Sequence, residues 1–184
     1  MKKLLFIPLL AVAALMGTAH NTWAQKTKMV GGAEMYPTKN IVENAMNSKD
    51  HTTLVAAVKA AGLVETLQGK GPFTVFAPTN AAFNELPSGA VSNLLKPENK
   101  EQLASVLTYH VVAGKWDVAA IKQKIKEGGG RTEMKTVQGG KLILAEINGK
   151  IWVVDSKSTR AMVTISDVYQ SNGVIHVINK VLMP

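Results

Sequence analysis

The chain has 184 residues, a formal charge of +8 and 46% hydrophobic residues, with no cysteine at all. The lack of cysteine excludes a disulfide framework, thiolate metal sites and a cysteine nucleophile, so the core must hold any folded domain unaided. Its length suits one domain with a substantial core, and the positive surplus favours acidic partners.

Lys2 and Lys3 precede an uncharged apolar run from Leu4 to Met16, followed by small residues up to Ala24. This is the layout of a secretory signal peptide, expected over residues 1–24. As a helix the run spans about 20 Å, short of the roughly 30 Å of bilayer hydrocarbon. The chain is therefore expected to be exported, periplasmic or extracellular, with no integral span after cleavage. Residues 25–36 lack periodicity and contain Gly31-Gly32, and are expected to form a flexible leader to a domain over 37–184.

Helical spacing begins at Ile41, Val42 and Ala45. Asp50 is expected to cap a second helix carrying Leu54, Val55, Val58 and Leu63, and Leu63 to Leu67 to add a short turn. After the breaker cluster Gly69-Lys70-Gly71-Pro72, the run Phe73-Thr74-Val75-Phe76-Ala77 reads as a strand that Pro78 ends. Thr79 or Asn80 can cap the helix that follows, over Ala81 to Leu86. Val91, Leu94 and Leu95 keep helical spacing. Asn99 opens a helix with Leu103, Val106, Leu107 and His110 on one face, which Gly114 is expected to stop. Asp117 can cap Val118 to Ile125, and Gly128-Gly129-Gly130 ends that helix. Lys115, Lys122, Lys124 and Lys126 are the densest basic stretch, but residues two apart on a helix do not share a face. No aromatics interleave Lys122, Lys124 and Lys126, so nucleic acid is not an expected partner.

The last third turns to short β-type runs: Leu142–Leu144, Ile151–Val154, Met162–Ile165 and Val174–Ile178. Asn148-Gly149 is a hairpin signal, because both residues tolerate positive φ. Helices first and strands after argue α+β.

Little in the chain reads as catalytic. His51, His110 and His176 are far apart in sequence, without the spacing of a zinc helix. No serine sits in a nucleophile elbow, and Lys70 is not in a phosphate-binding loop. No metal, cofactor or enzymatic activity is expected.

Three segments carry a family resemblance. Thr74-Val75-Phe76-Ala77-Pro78-Thr79-Asn80-Ala81-Ala82-Phe83, Tyr109-His110 and Asn172-Gly173-Val174-Ile175-His176-Val177-Ile178-Asn179-Lys180-Val181-Leu182-Met183-Pro184 resemble, in order and separation, the two boxes and the Tyr-His motif of fasciclin (FAS1) domains. The resemblance covers about residues 37–184. It implies an α+β FAS1 fold, with a β-sandwich-like core of two short sheets and helices packed around one end. It implies adhesion, with no cofactor. The partner would be a cell-surface or matrix protein, or an acidic polysaccharide. The alternative is a soluble periplasmic binding or envelope-stress protein for a polysaccharide, lipid or small ligand. By the same resemblance the candidate contact residues are Leu107, Tyr109, His110, Val111 and Val112, with Asp167 and Val168 before the second box. At that second place the acidic-proline start seen in animal members is missing. Tyr109 and His110 have a structural reading too, as groups that lock a helix end.

Overall fold

The computed structural model describes residues 27–184, so the expected signal peptide and the first residues of the leader lie outside the described residues. Residues 28–35 fold as a ribbon of β1 (Lys28–Val30) and β2 (Ala33–Met35), although they fall in the expected flexible leader. Val30 and Met35 are buried against the helices, and burial of two large side chains outweighs the weak local pattern.

The helices come next. They are α1 (Ile41–Ala45), α2 (Thr52–Ala61) and α3 (Val64–Gln68). The strand β3 (Phe73–Pro78) then leads into α4 (Asn80–Asn84), α5 (Ala90–Leu94) and α6 (Lys100–Tyr109). Asn40 and Glu43 form a reciprocal capping box on α1. Asp50, expected as the cap of α2, lies instead in a 3₁₀ turn over Lys49–His51. The cap arrives from a distance: Asn80 Oδ1 accepts from Thr53 N–H at 3.0 Å. Thr79 caps α4, accepting from Ala82 N–H at 3.3 Å. Helix α6 ends at Tyr109, before the expected stop at Gly114, because β4 (Val111–Ala113) pairs with β3. Asp117 caps α7 (Val118–Glu127) as its position suggests.

The remaining strands are β5 (Arg131–Lys135), β6 (Lys141–Ile147), β7 (Lys150–Val154), β8 (Arg160–Gln170) and β9 (Gly173–Ile178). Asn148 and Gly149, at φ of 52° and 74°, make the tight turn between β6 and β7. The architecture is α+β, but the two short sheets expected are one seven-stranded sheet, β4-β3-β9-β8-β7-β6-β5, curled towards a barrel. A bridge from Val112 to Thr136 and a 2.7 Å bond from Val137 N–H to the Val111 carbonyl bring its two edges together.

The reason lies in β8. It pairs with β7 through residues 160–162 and with β9 through residues 163–170, so it belongs to both halves. Register shifts between Val163 and Ile165 and between Ile165 and Val168 switch its faces. Ala161 and Val163 point to the barrel interior, while Ile165 and Val168 join the helix-side core.

Two hydrophobic clusters result. One fills the barrel with Phe76, Leu142, Leu144, Val153 and Ile178, closed by Ile121 and Ile125 of α7. The other lies between α1–α6 and the outer face of β3, β4 and β9. Strand β3 serves both, with Phe76 turned into the barrel and Val75 and Ala77 to the helices. Its neighbour β9 runs parallel and in register, Phe76 opposite His176. Strands buried on both faces need continuous apolar sequence, which is what the two boxes supply.

Two substitutions test this centre. Phe76→Ala should cost about 3–5 kcal/mol in urea unfolding, because it opens a cavity at a fully buried site. Gly173→Ala should also destabilise, by about 1–3 kcal/mol, since its Cβ would lie 2.1 Å from the Phe73 carbonyl oxygen.

Candidate functional site

The segment from Leu107 to Val112 sits where α6 ends and β4 begins. Leu107, Tyr109, His110, Val111 and Val112 are all buried. The turn at His110 sorts them: Leu107 and Val111 face the helix-side core, and Tyr109 and Val112 enter the barrel cluster.

Each side-chain polar atom of the Tyr-His pair has an intrachain partner. The Tyr109 hydroxyl donates to the Lys141 carbonyl at 2.7 Å and accepts from Ser156 N–H at 3.1 Å. One phenol thus ties α6 to the start of β6 and to the loop after β7. His110 Nδ1 donates to the Val106 carbonyl at 2.8 Å, and Nε2 accepts from Leu182 N–H at 3.0 Å. The imidazole therefore holds the helix end with one nitrogen and the C-terminal segment with the other. Those bonds require the neutral ring. Burial pushes its pKa down to about 4, against a smaller upward pull from the Val106 carbonyl and the Asp155 charge.

The second segment lies elsewhere. Val168 is buried in the helix-side core. Asp167 occupies the irregular part of β8 at φ 52°, and its Oδ1 accepts from Val118 N–H at 2.8 Å. It therefore serves the first turn of α7 beside the Asp117 cap. Its own N–H donates to His176 Nδ1 at 3.3 Å, while His176 Nε2 donates to the Trp116 carbonyl at 2.7 Å. His176 is fully buried and stacked on Phe76, with ring centroids 5.7 Å apart. Burial lowers its pKa, partly offset by the Trp116 carbonyl and by Asp167 and Asp117.

The exposed ground around the Tyr-His pair is the turn over residues 137–140 and the loop over 156–158. Val137 is 47% exposed, and the N–H groups of Val137 and Gln138 donate to the carbonyls of Val111 and Thr108. Gly140 lies against the Tyr109 ring, where an added Cβ would stand 2.8 Å from Cε2.

Other clamps carry weaker sequence signals. Asp155 Oδ1 accepts from Lys157 N–H and Thr159 N–H at 2.9 and 2.8 Å, and Oδ2 accepts from Met183 N–H at 2.8 Å. Asn172 Oδ1 accepts from Ile41 N–H, and its Nδ2 donates to the Leu67 and Gly69 carbonyls. Asn44 donates to Gln170 within the core. Asp and Asn in turn sequences are a cue for such roles, but only the folded chain reveals the far partner. Among the described residues no group of three or more acidic or imidazole side chains could hold a metal, and no helix is long and apolar enough to cross a membrane.

Comparison with known proteins agrees with this geometry. The Fasciclin domain family matches residues 49–184. Protein sll1483 of Synechocystis is 45% identical over 160 residues, covering 87% of this chain and 82% of that protein. Transforming growth factor-beta-induced protein ig-h3 of Sus scrofa is 36% identical over 148 residues, covering 80% of this chain but 20% of its own length. The FAS1 domain pair from the insect cell adhesion molecule Fasciclin I superposes with a TM-score of 0.70 at 18% identity. That match covers 79% of this chain and 51% of that one, and bears on the fold alone.

The Tyr-His geometry sets two measurements. His110→Ala should lose about 1–3 kcal/mol, since Leu182 N–H and the Val106 carbonyl are left unpaired in the core. The pH dependence has a defined sign. With a folded pKa below the ordinary 6.5, the contribution of His110 is complete above pH 6.5 and is lost as pH falls towards about 4. Denaturant midpoints across that window should fall for the parent and fall less for His110→Asn.

Proposed function

The chain belongs to the fasciclin domain family, and on that premise we propose that it is an exported adhesion module. Fasciclin domains are non-catalytic binding modules. The proposed partner is a cell-surface or matrix protein, or an acidic polysaccharide.

One observation carries the reading. Every side-chain polar atom of Tyr109 and His110 is bonded within the chain. Their role in recognition is then indirect: they fix a patch that partners touch. The patch consists of the turn over residues 137–140 and the loop over 156–158; the Tyr109 hydroxyl bonds to Lys141, the residue after the turn, and to Ser156 in the loop. It offers exposed Val137, Gln138 and Lys157 on a backbone held from beneath, and so loses little entropy on binding. The net positive charge of the chain adds long-range attraction to acidic surfaces. A single domain offers an interface of modest size, about 800 Å² per partner, so firm attachment calls for a multivalent ligand.

The test is attachment of beads coated with the protein to extracellular-matrix and acidic-polysaccharide surfaces at low and high salt. Val137→Asp combined with Lys157→Glu should reduce attachment at least about tenfold, the value of a central contact, with no change in thermal unfolding. Tyr109→Phe should weaken attachment and stability together. Unchanged attachment in the double variant would remove the patch from the proposal.

A further inference from the structure

An antiparallel sheet with one face in solvent is ordinarily apolar inward and polar outward. Strands β6 and β7 break that rule. Leu142, Leu144, Ile151 and Val153 point into the barrel cluster. The alternate residues Ile143, Ala145, Ile147, Trp152 and Val154 point outward, yet they are apolar too and belong to neither hydrophobic cluster. The helices lie elsewhere: α1–α6 cover the β3, β4 and β9 side, and α7 closes the barrel.

Register arranges this outer face in rows, because residues opposite one another on paired strands share a face. One row runs Arg131, Ala145, Trp152, Met162, and the next runs Glu133, Ile143, Val154, Arg160. Lys150 stands two residues before Trp152 on the same strand, about 7 Å away. Arg160 is a diagonal neighbour of Trp152, about 7–8 Å away. Arg131 lies across the single methyl of Ala145. Arg131, Lys150 and Arg160 are exposed, and none is in an ion pair among the described residues. Glu133, the acid of these rows, is taken by Lys141 at 2.8 Å. The face is therefore an apolar strip with an indole at its middle and three uncompensated cations around it.

That combination selects among occupants. Strands β6 and β7 have both edges paired, so no peptide strand can be added to them. A second copy would set like charges against one another. Trp152 is half-buried in its row, so it offers a surface and does not project as a wedge into a bilayer. An acidic sugar chain suits all three features. The C–H face of a pyranose ring lies flat on an aromatic and aliphatic strip, and a carboxylate at the ring edge meets a guanidinium fork in a bidentate pair.

We propose that the outer face of β5–β8 is a docking site for a polysaccharide of uronic acids, with sugar rings over Trp152 and carboxylates on Arg131, Lys150 and Arg160. The proposal rests on the reading of the chain as a binding module. Its residues are not those of the patch at 137–140 and 156–158, so either site can fail alone.

The experiment is a fluorescence-anisotropy titration of the purified protein with labelled hexagalacturonate at low and high salt. Its methyl ester and phosphatidylserine vesicles serve as comparisons. Binding should be saturable, should weaken with salt, and should be at least about tenfold weaker for the uncharged ester. Trp152→Ala should lower affinity at least about tenfold, as loss of a central aromatic contact does. Arg131→Gln with Arg160→Gln should lower it similarly and flatten the salt dependence. Lys59→Gln with Lys100→Gln removes the same charge from exposed positions on the helix side and should leave affinity unchanged. Should Trp152→Ala unfold, Trp152→Leu keeps the row apolar without an aromatic face and should show the same loss. Absence of saturable binding at low salt would overturn the proposal, as would equal affinity for the ester or preference for the vesicles. So would full binding in a folded Trp152 variant, or an equal loss in the helix-side variant.

Discussion

The parallel pairing of β3 with β9 puts two strands with no solvent-facing side at the centre of the molecule. Each must satisfy two cores at once: the barrel interior through Phe76 and Ile178, and the helix-side layer through Val75, Ala77, Ile175 and Val177. The approach at their N-terminal ends is close enough to require glycine at Gly173. The other parts take their positions from this pair. Strand β4 adds to one side, β8 to the other, and β8 carries the sheet round until its far edge meets β4 again.

Around that centre the polar groups act as clamps between distant parts of the chain. His110 and Asp155 hold the backbone of Leu182 and Met183. Asn172 joins α1 to the end of α3, and Asn80 joins α4 to the start of α2. His176 and Asp167 connect the irregular part of β8 to the segment that enters α7. In a chain without disulfides these buried bonds contribute specificity of arrangement. Their energy is asymmetric: each adds little when made and costs much when one partner is removed. Three buried histidines whose pKa values are lowered by burial also tie the fold to neutral conditions, since protonating them in the unfolded chain draws the equilibrium away from the folded state.

A rigid frame with its motif residues inside leaves recognition to its exterior. The exterior can present loops whose geometry the frame fixes, as the Val111 and Thr108 carbonyls do for the turn at 137–140 and the Tyr109 hydroxyl does for the loop at 156–158. The two motif residues face opposite ways, Tyr109 towards the barrel and His110 towards the helix-side layer.

Much of the local structure was legible from residues 40 onward. The capping residues Thr79 and Asp117, the Asn148-Gly149 turn and the apolar strands of the last third all act through neighbours a few positions away, so their pattern is written in the local sequence. What depended on distant partners was not legible. The polar segment Arg131–Lys135 is a strand because β6 pairs with it, and Val111–Ala113 is a strand because β3 does. The α2 cap is Asn80 and not the adjacent Asp50, because the turn before α4 brings that amide within reach. The structural reading of Tyr109 and His110 as groups that lock a helix end agrees with their burial and hydrogen bonds, whereas the burial of Val111 and Val112 follows from pairing with β3, which no local spacing marks. Sequence alone determined an α+β fold of one family, because the boxes encode two doubly buried strands. Only tertiary structure decided that one curled sheet replaces two, because register shifts in β8 are set by which strands lie on either side of it.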